Sequence, residues 1–131
     1  VREPDDKEQL LKGHIYIAPP DYHLMLEKDG TFGYNSDDLV NYSRPSIDVL
    51  FESVAENLGS NIAGVLLTGA NADGANGMKK IKNGGGVTIA QNPTTADYPT
   101  MPQSAIDMDA ADWILNLNEI AIKLNSFVYG K

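Results

Sequence analysis

With 131 residues and 42% hydrophobic content, the sequence has the material for one compact domain with a modest core. The absence of cysteine excludes disulfides, thiolate nucleophiles and zinc sites of the cysteine type, and no run of about 18 apolar residues offers a membrane span. A formal net charge of −8 repels phosphate backbones, so nucleic-acid binding is not expected.

The opening Val1-Arg2-Glu3-Pro4-Asp5-Asp6 is charged, carries a proline and lacks an initiator methionine. It reads as a piece of something longer and not as a signal peptide. The lack of cysteine fits a cytoplasmic location. His14-Ile15-Tyr16-Ile17-Ala18, stopped by Pro19-Pro20, reads as a strand, with His23 in the loop beyond it. Leu24-Met25-Leu26 and Thr31-Phe32-Gly33-Tyr34, joined through Asp29-Gly30, form a hairpin pattern. The clearest helix begins with Pro45 in its first turn, repeats Ile47, Leu50, Phe51, Val54 and Leu58 at helical spacing, and stops at Gly59.

Ile62 to Thr68 is a nearly continuous apolar run, as expected of a strand buried on both faces. A glycine-rich turn from Gly69 to Gly77 leads to a short helix around Met78 to Lys82, and Gly84-Gly85-Gly86 breaks it. Val87 to Ala90 is the next strand, Asn92 to Pro102 a turn-rich loop, Ser104 to Met108 one helical turn, and Trp113-Ile114-Leu115 a last strand. Leu117, Ile120, Ala121, Leu124, Phe127 and Val128 mark a closing amphipathic helix. Strands alternating with helices predict an α/β domain with a mainly parallel sheet and no internal repeat.

In such sheets ligands bind beyond the carboxyl ends of the strands, and Leu67-Thr68-Gly69-Ala70-Asn71-Ala72-Asp73-Gly74 lies at such an end. Asp73 stands where a helix begins, so the residues alone leave it open between a helix cap and a catalytic carboxylate. The turn is not a P-loop, because no Gly-Lys-Ser/Thr follows, and no Gly-x-Gly-x-x-Gly occurs. A hydrolytic triad needs a nucleophile and a base as well, yet there is no Gly-x-Ser-x-Gly elbow. Of the two histidines, His14 opens a predicted strand, whereas His23 in its loop has the better reach to a cleft. Asp37-Asp38, Asp107 and Asp109 match no calcium loop, so neither metal nor cofactor is expected.

Gly13 to His23, Arg44-Pro45-Ser46-Ile47-Asp48-Val49-Leu50-Phe51, Leu67-Thr68-Gly69 through Asp73-Gly74-Ala75-Asn76-Gly77, Ala90-Gln91, and Met101-Pro102-Gln103-Ser104-Ala105-Ile106 together resemble the CheB-type protein-glutamate methylesterases. The likeness runs from Val1 to about Leu124 and implies that residues 1–131 are the C-terminal part of the catalytic domain. By resemblance the fold is a three-layer αβα domain with a mainly parallel sheet, incomplete here. The implied activity is hydrolysis of glutamate methyl esters, with glutamine deamidation in many members, on the cytoplasmic region of chemoreceptors. The family uses a Ser-His-Asp triad, commonly behind a receiver domain. Asp73 matches the triad aspartate by motif position, while the family's serine and histidine lie upstream of the region matched.

Gly69, Ala70, Asn71, His23 and Met101 are the candidate cleft residues. Where the family carries Gly-Met-Gly, this chain has Gly69-Ala70-Asn71, losing a methionine and a flexible glycine. Thr100 and Asp109 likewise stand where the family has glycines. Retention of Asp73 favours an enzyme, and the departures at Ala70 and Asn71 favour a non-catalytic receptor-binding or regulatory module of the same fold. On either reading, a chain lacking the upstream strands is expected to self-associate through its unpaired sheet edge.

Overall fold

The computed structural model describes residues 1–130. Its first element is a hairpin, β1 (His23–Leu26) paired antiparallel with β2 (Phe32–Asn35). Gly30 supplies the positive φ of +83° that the connection needs. Leu24, Leu26 and Phe32 are buried on its inner side. The segment before it is bonded to the same hairpin: Lys7 and Leu10 donate backbone N–H groups to Phe32 and Gly30. Burial, followed by the nearby charges of Glu3, Asp5, Glu8 and Asp6, pushes the Tyr34 hydroxyl above its ordinary range.

The strand expected over His14–Ala18 does not form. A single parallel bridge joins Arg2 to Tyr16, and Tyr16 turns inward against Phe32 at 4.6 Å between ring centroids. That alternation leaves Ile15 and Ile17 exposed, opposite to what their hydropathy suggests.

Helix α1 (Ile47–Leu58) follows, with Ser46 as its N-cap and Gly59 at φ +57° as its stop. Pro45 therefore precedes the cap instead of occupying the first turn. Beyond it a parallel sheet is built in the order β3 (Ala63–Leu66), β4 (Val87–Gln91), β5 (Trp113–Leu115). The register pairs Ala63 with Val87 and Ile89 with Trp113. Helix α2 (Ala75–Asn83) connects β3 to β4, α3 (Thr100–Asp107) precedes β5, and α4 (Leu117–Tyr129) follows it. The three-stranded sheet flanked by helices bears out the α/β reading.

The core sits between β3, α2 and α3, where Leu66, Ala75, Met78, Ala105 and Ala110 are buried and Ile47, Phe51 and Met101 pack against them. Gly64 permits this close approach, since a Cβ there would lie 2.8 Å from Ile81 Cδ1. The expectation that Ile62–Thr68 is buried on both faces is corrected. Gly64 and Leu66 face the helices, while Ala63 and Val65 are only half-buried and Leu67 is exposed. Among the described residues β3 has β4 as its single strand neighbour, so its outer edge is unpaired.

Helix α3 is longer than the single turn expected, because Pro102 sits in its first turn, where a missing N–H costs nothing. In α4 only Ile120 of the predicted apolar face is buried. Asp109 occupies a left-handed conformation at φ +53°, which explains the glycine expected there by resemblance. The carbonyl of Asp109 accepts from Lys79 and Lys82, contacts that glycine would keep, and the Lys82 pair with the exposed Asp109 carboxylate at 3.4 Å, which glycine would lose, contributes little in water. Asp109→Gly is therefore expected to raise stability by about 0.5–1 kcal/mol, read as a small upward shift in the urea midpoint.

Candidate active-site aspartate and its cradle

Asp73 follows the loop that leaves the carboxyl end of β3. The loop is shaped by its own residues: Asn71 Oδ1 accepts the Asp73 N–H at 2.9 Å, and Asn71 Nδ2 reaches Ser43 Oγ at 3.4 Å. At its other end Thr68 N–H donates to Gln91 Oε1, and Gly69 exchanges backbone bonds with Tyr98 and Met101. Glycine makes room for this packing, because a Cβ would fall 2.6 Å from Met101 Cε and 2.7 Å from its Sδ and the methionine side chain would have to shift. Gly69 and Met101 are thus brought together, and Ala70 faces solvent beside them.

The side chain of Asp73 is 2% exposed and surrounded by donors. Its Oδ1 accepts from Ser46 Oγ at 2.8 Å, Asn41 Nδ2 at 3.1 Å and the Asp48 N–H at 3.2 Å. Its Oδ2 accepts the Ile47 N–H at 2.6 Å. Asp73 therefore does cap a helix, but the helix is α1 from across the fold and not the one it precedes. Oδ2 retains a lone pair that no described residue takes. No ion pair among the described residues involves Asp73, so the buried carboxyl is held by hydrogen bonds at the N-terminus of α1.

Asp48, 3% exposed, repeats the device in the opposite direction. Its Oδ1 accepts the Gly77 N–H of α2 at 2.7 Å, and its Oδ2 accepts from Asn41 Nδ2 at 2.7 Å. The N-cap of α2 is Gly74, which has no side chain to cap with. Each helix start is thus held by a carboxylate from the other's neighbourhood, and Asn41 bridges the two. The sequence showed Ser46 and Asp48 as ordinary residues of a helix start; nothing in it linked them to Asp73 or Gly77.

His23 lies in β1 and not in a loop, and it is 1% exposed. Its Nδ1 accepts the Ser46 N–H at 3.2 Å and its Nε2 reaches the Asp38 carbonyl at 2.9 Å. Both ring nitrogens are engaged, and neither is free for a reacting group. Ser46, His23 and Asp73 are adjacent without forming a hydrolytic triad, because the serine hydroxyl is bonded to the aspartate and not to the imidazole. His14 is exposed and bonded to the Lys12 carbonyl. Among the described residues no His and acidic groups cluster in a way that would hold a metal ion, and no helix is long and apolar enough to cross a membrane.

A buried carboxylate behind a glycine-rich loop, at the carboxyl edge of a parallel sheet, lies where open α/β domains commonly bind their ligands. The family model described as CheB methylesterase matches residues 1–124, and the chain belongs to that family.

The chain is 50% identical over 121 residues to a Leptospira interrogans protein named "Putative protein-glutamate methylesterase/protein-glutamine glutaminase", covering 92% of this chain and 63% of that protein. It is 41% identical over 132 residues to the protein-glutamate methylesterase/protein-glutamine glutaminase of Hydrogenovibrio crunogenus, covering 98% of this chain and 35% of that one. The crystal structure of the Thermotoga maritima CheB methylesterase catalytic domain superposes with a TM-score of 0.88 at 37% identity, over 93% of this chain and 66% of that domain. The chain therefore spans less than two thirds of these relatives.

Proposed function

We propose that these 131 residues are the C-terminal part of a methylesterase domain acting on glutamate methyl esters, and on glutamine amides, of chemoreceptor cytoplasmic regions. Asp73 is its triad aspartate, and the serine and histidine come from the portion of the domain that the relatives have beyond the region matched here. The observation that carries this reading is the setting of Asp73: buried, held by four donors, and with a lone pair of Oδ2 left for one more. An imidazole N–H arriving there would be fixed in the tautomer that leaves its other nitrogen free to take a serine proton. Gly69, Ala70, Asn71 and Met101 would line the cleft beside it, whereas His23 would support the cradle from beneath.

A receiver domain as regulatory partner and a cytoplasmic location belong to the same reading. The unpaired edge of β3 is where the rest of the domain would pack. In its absence, a second copy would do so.

The test compares methanol release from an esterified polypeptide by the 131 residues alone and by the same residues joined to the segment their relatives carry. The longer protein is expected to release methanol. The 131 residues are expected to release none and to scatter light as more than a monomer. Equal release by both would end the proposal that the nucleophile and base lie outside.

A further inference from the structure

One strained element beside the Asp73 cradle is unexplained by the chain's own contacts. Val40 and Ser43 exchange both backbone hydrogen bonds, at 3.0 and 2.9 Å, around a two-residue turn. Its central residues Asn41 and Tyr42 lie at φ +52° and +64°, so both are left-handed, as in a type I′ turn. Asparagine is usual at the first position and glycine at the second. A tyrosine at the second is a steric outlier, and with its side chain 95% exposed it gains almost nothing within the chain to offset that strain.

The turn is anchored on both sides to the proposed site. Asn41 bonds Asp73 and Asp48, and Ser43 bonds Asn71. The opposite end of the same loop holds a second exposed aromatic residue. Tyr98 is 62% exposed, yet its N–H donates to Thr68 Oγ1 at 2.8 Å and its carbonyl accepts from Gly69 N–H at 2.9 Å. Two exposed tyrosines therefore bracket the loop that carries Asp73, Tyr42 in a turn closed by the bonds between Val40 and Ser43 and Tyr98 through its own bonded backbone.

We propose that Tyr42 and Tyr98 are specificity-determining residues that grip the polypeptide on either side of the esterified glutamate. Aromatic residues on fixed backbones give large contact area at small entropic cost, and tyrosine is enriched among the residues that dominate binding. Two rings at opposite ends of one loop match an extended polypeptide better than a small ester, which would fill only the space between them. The proposal rests on reading the Asp73 loop as the ester-hydrolysis site.

Tyr42→Gly suits the test because glycine accepts the left-handed turn, so the fold is kept and the melting temperature is expected to rise. In the full-length protein, Tyr42→Gly and Tyr98→Ala should each lower kcat/KM for an esterified polypeptide about tenfold more than for free glutamate γ-methyl ester. Equal losses on the two substrates, or no loss on either, would overturn the proposal. If the unmutated protein hydrolyses neither ester, the ester-hydrolysis reading fails by itself, and titration calorimetry with the same polypeptide decides the rest. Binding weakened about tenfold in Tyr42→Gly upholds the aromatic grip, and binding that is unchanged or absent removes it.

Discussion

Asp73→Asn in the full-length protein is expected to lower methyl-ester turnover by a factor on the order of 10³–10⁴, mainly in kcat. The amide keeps one oxygen, which best serves the three donors now gathered at Oδ1. Its NH₂ then replaces Oδ2, the atom left open for an imidazole N–H, and a donor there favours the wrong histidine tautomer. The same NH₂ faces the Ile47 N–H, so a stability loss of about 1–3 kcal/mol should accompany the loss of rate. Asp48→Asn is the control, since it also alters a buried cap but has no place in the proposed chemistry. Equal turnover losses in the two variants, both shown folded by circular dichroism, would reduce Asp73 to the cap of α1.

Asp48→Ala should be the more damaging change for the fold, costing roughly 2–4 kcal/mol. It strips the acceptor from the buried Gly77 N–H and one of the two acceptors of the Asn41 amide. Nothing nearby can replace it, because Gly74 offers no capping side chain and Gly77 is pressed against α1, where a Cβ would lie 2.5 Å from Phe51 Cβ. For a domain of this size, the melting temperature should fall by about 10 °C. A fall below about 3 °C would mean that water reaches the Gly77 N–H and that the reciprocal capping contributes little.

The elements legible in the sequence were those whose signal is local. The hairpin was marked by Asp29-Gly30 between apolar runs, α1 by its apolar spacing and the stop at Gly59, and β4 by Val87-Thr88-Ile89-Ala90 after three glycines. The order of motifs, from Arg44-Pro45-Ser46 to Met101-Pro102, was enough to point to the family.

What the residues alone left open were partnerships. Ile15 and Ile17 have the composition of a strand, but a strand needs a neighbour along its length, and only Arg2 provides one. The apolar residues of α1 suggested its buried face, yet its fully buried side chains are Asp48 and Ser53, because that side meets Gly77 of α2 and the Leu26 N–H of the hairpin. His23 could be placed as a loop histidine only while its partners Ser46 and Asp38 were unknown. The sequence by itself determined the α/β class, the family and the position of Asp73 at a strand end, since each depends on periodicity or motif order. Tertiary structure alone decided that Asp73 caps α1, that Asp48 caps α2 and that Asn41 bridges the two, because a hydrogen bond between residues some 30 positions apart leaves no periodic trace in the chain.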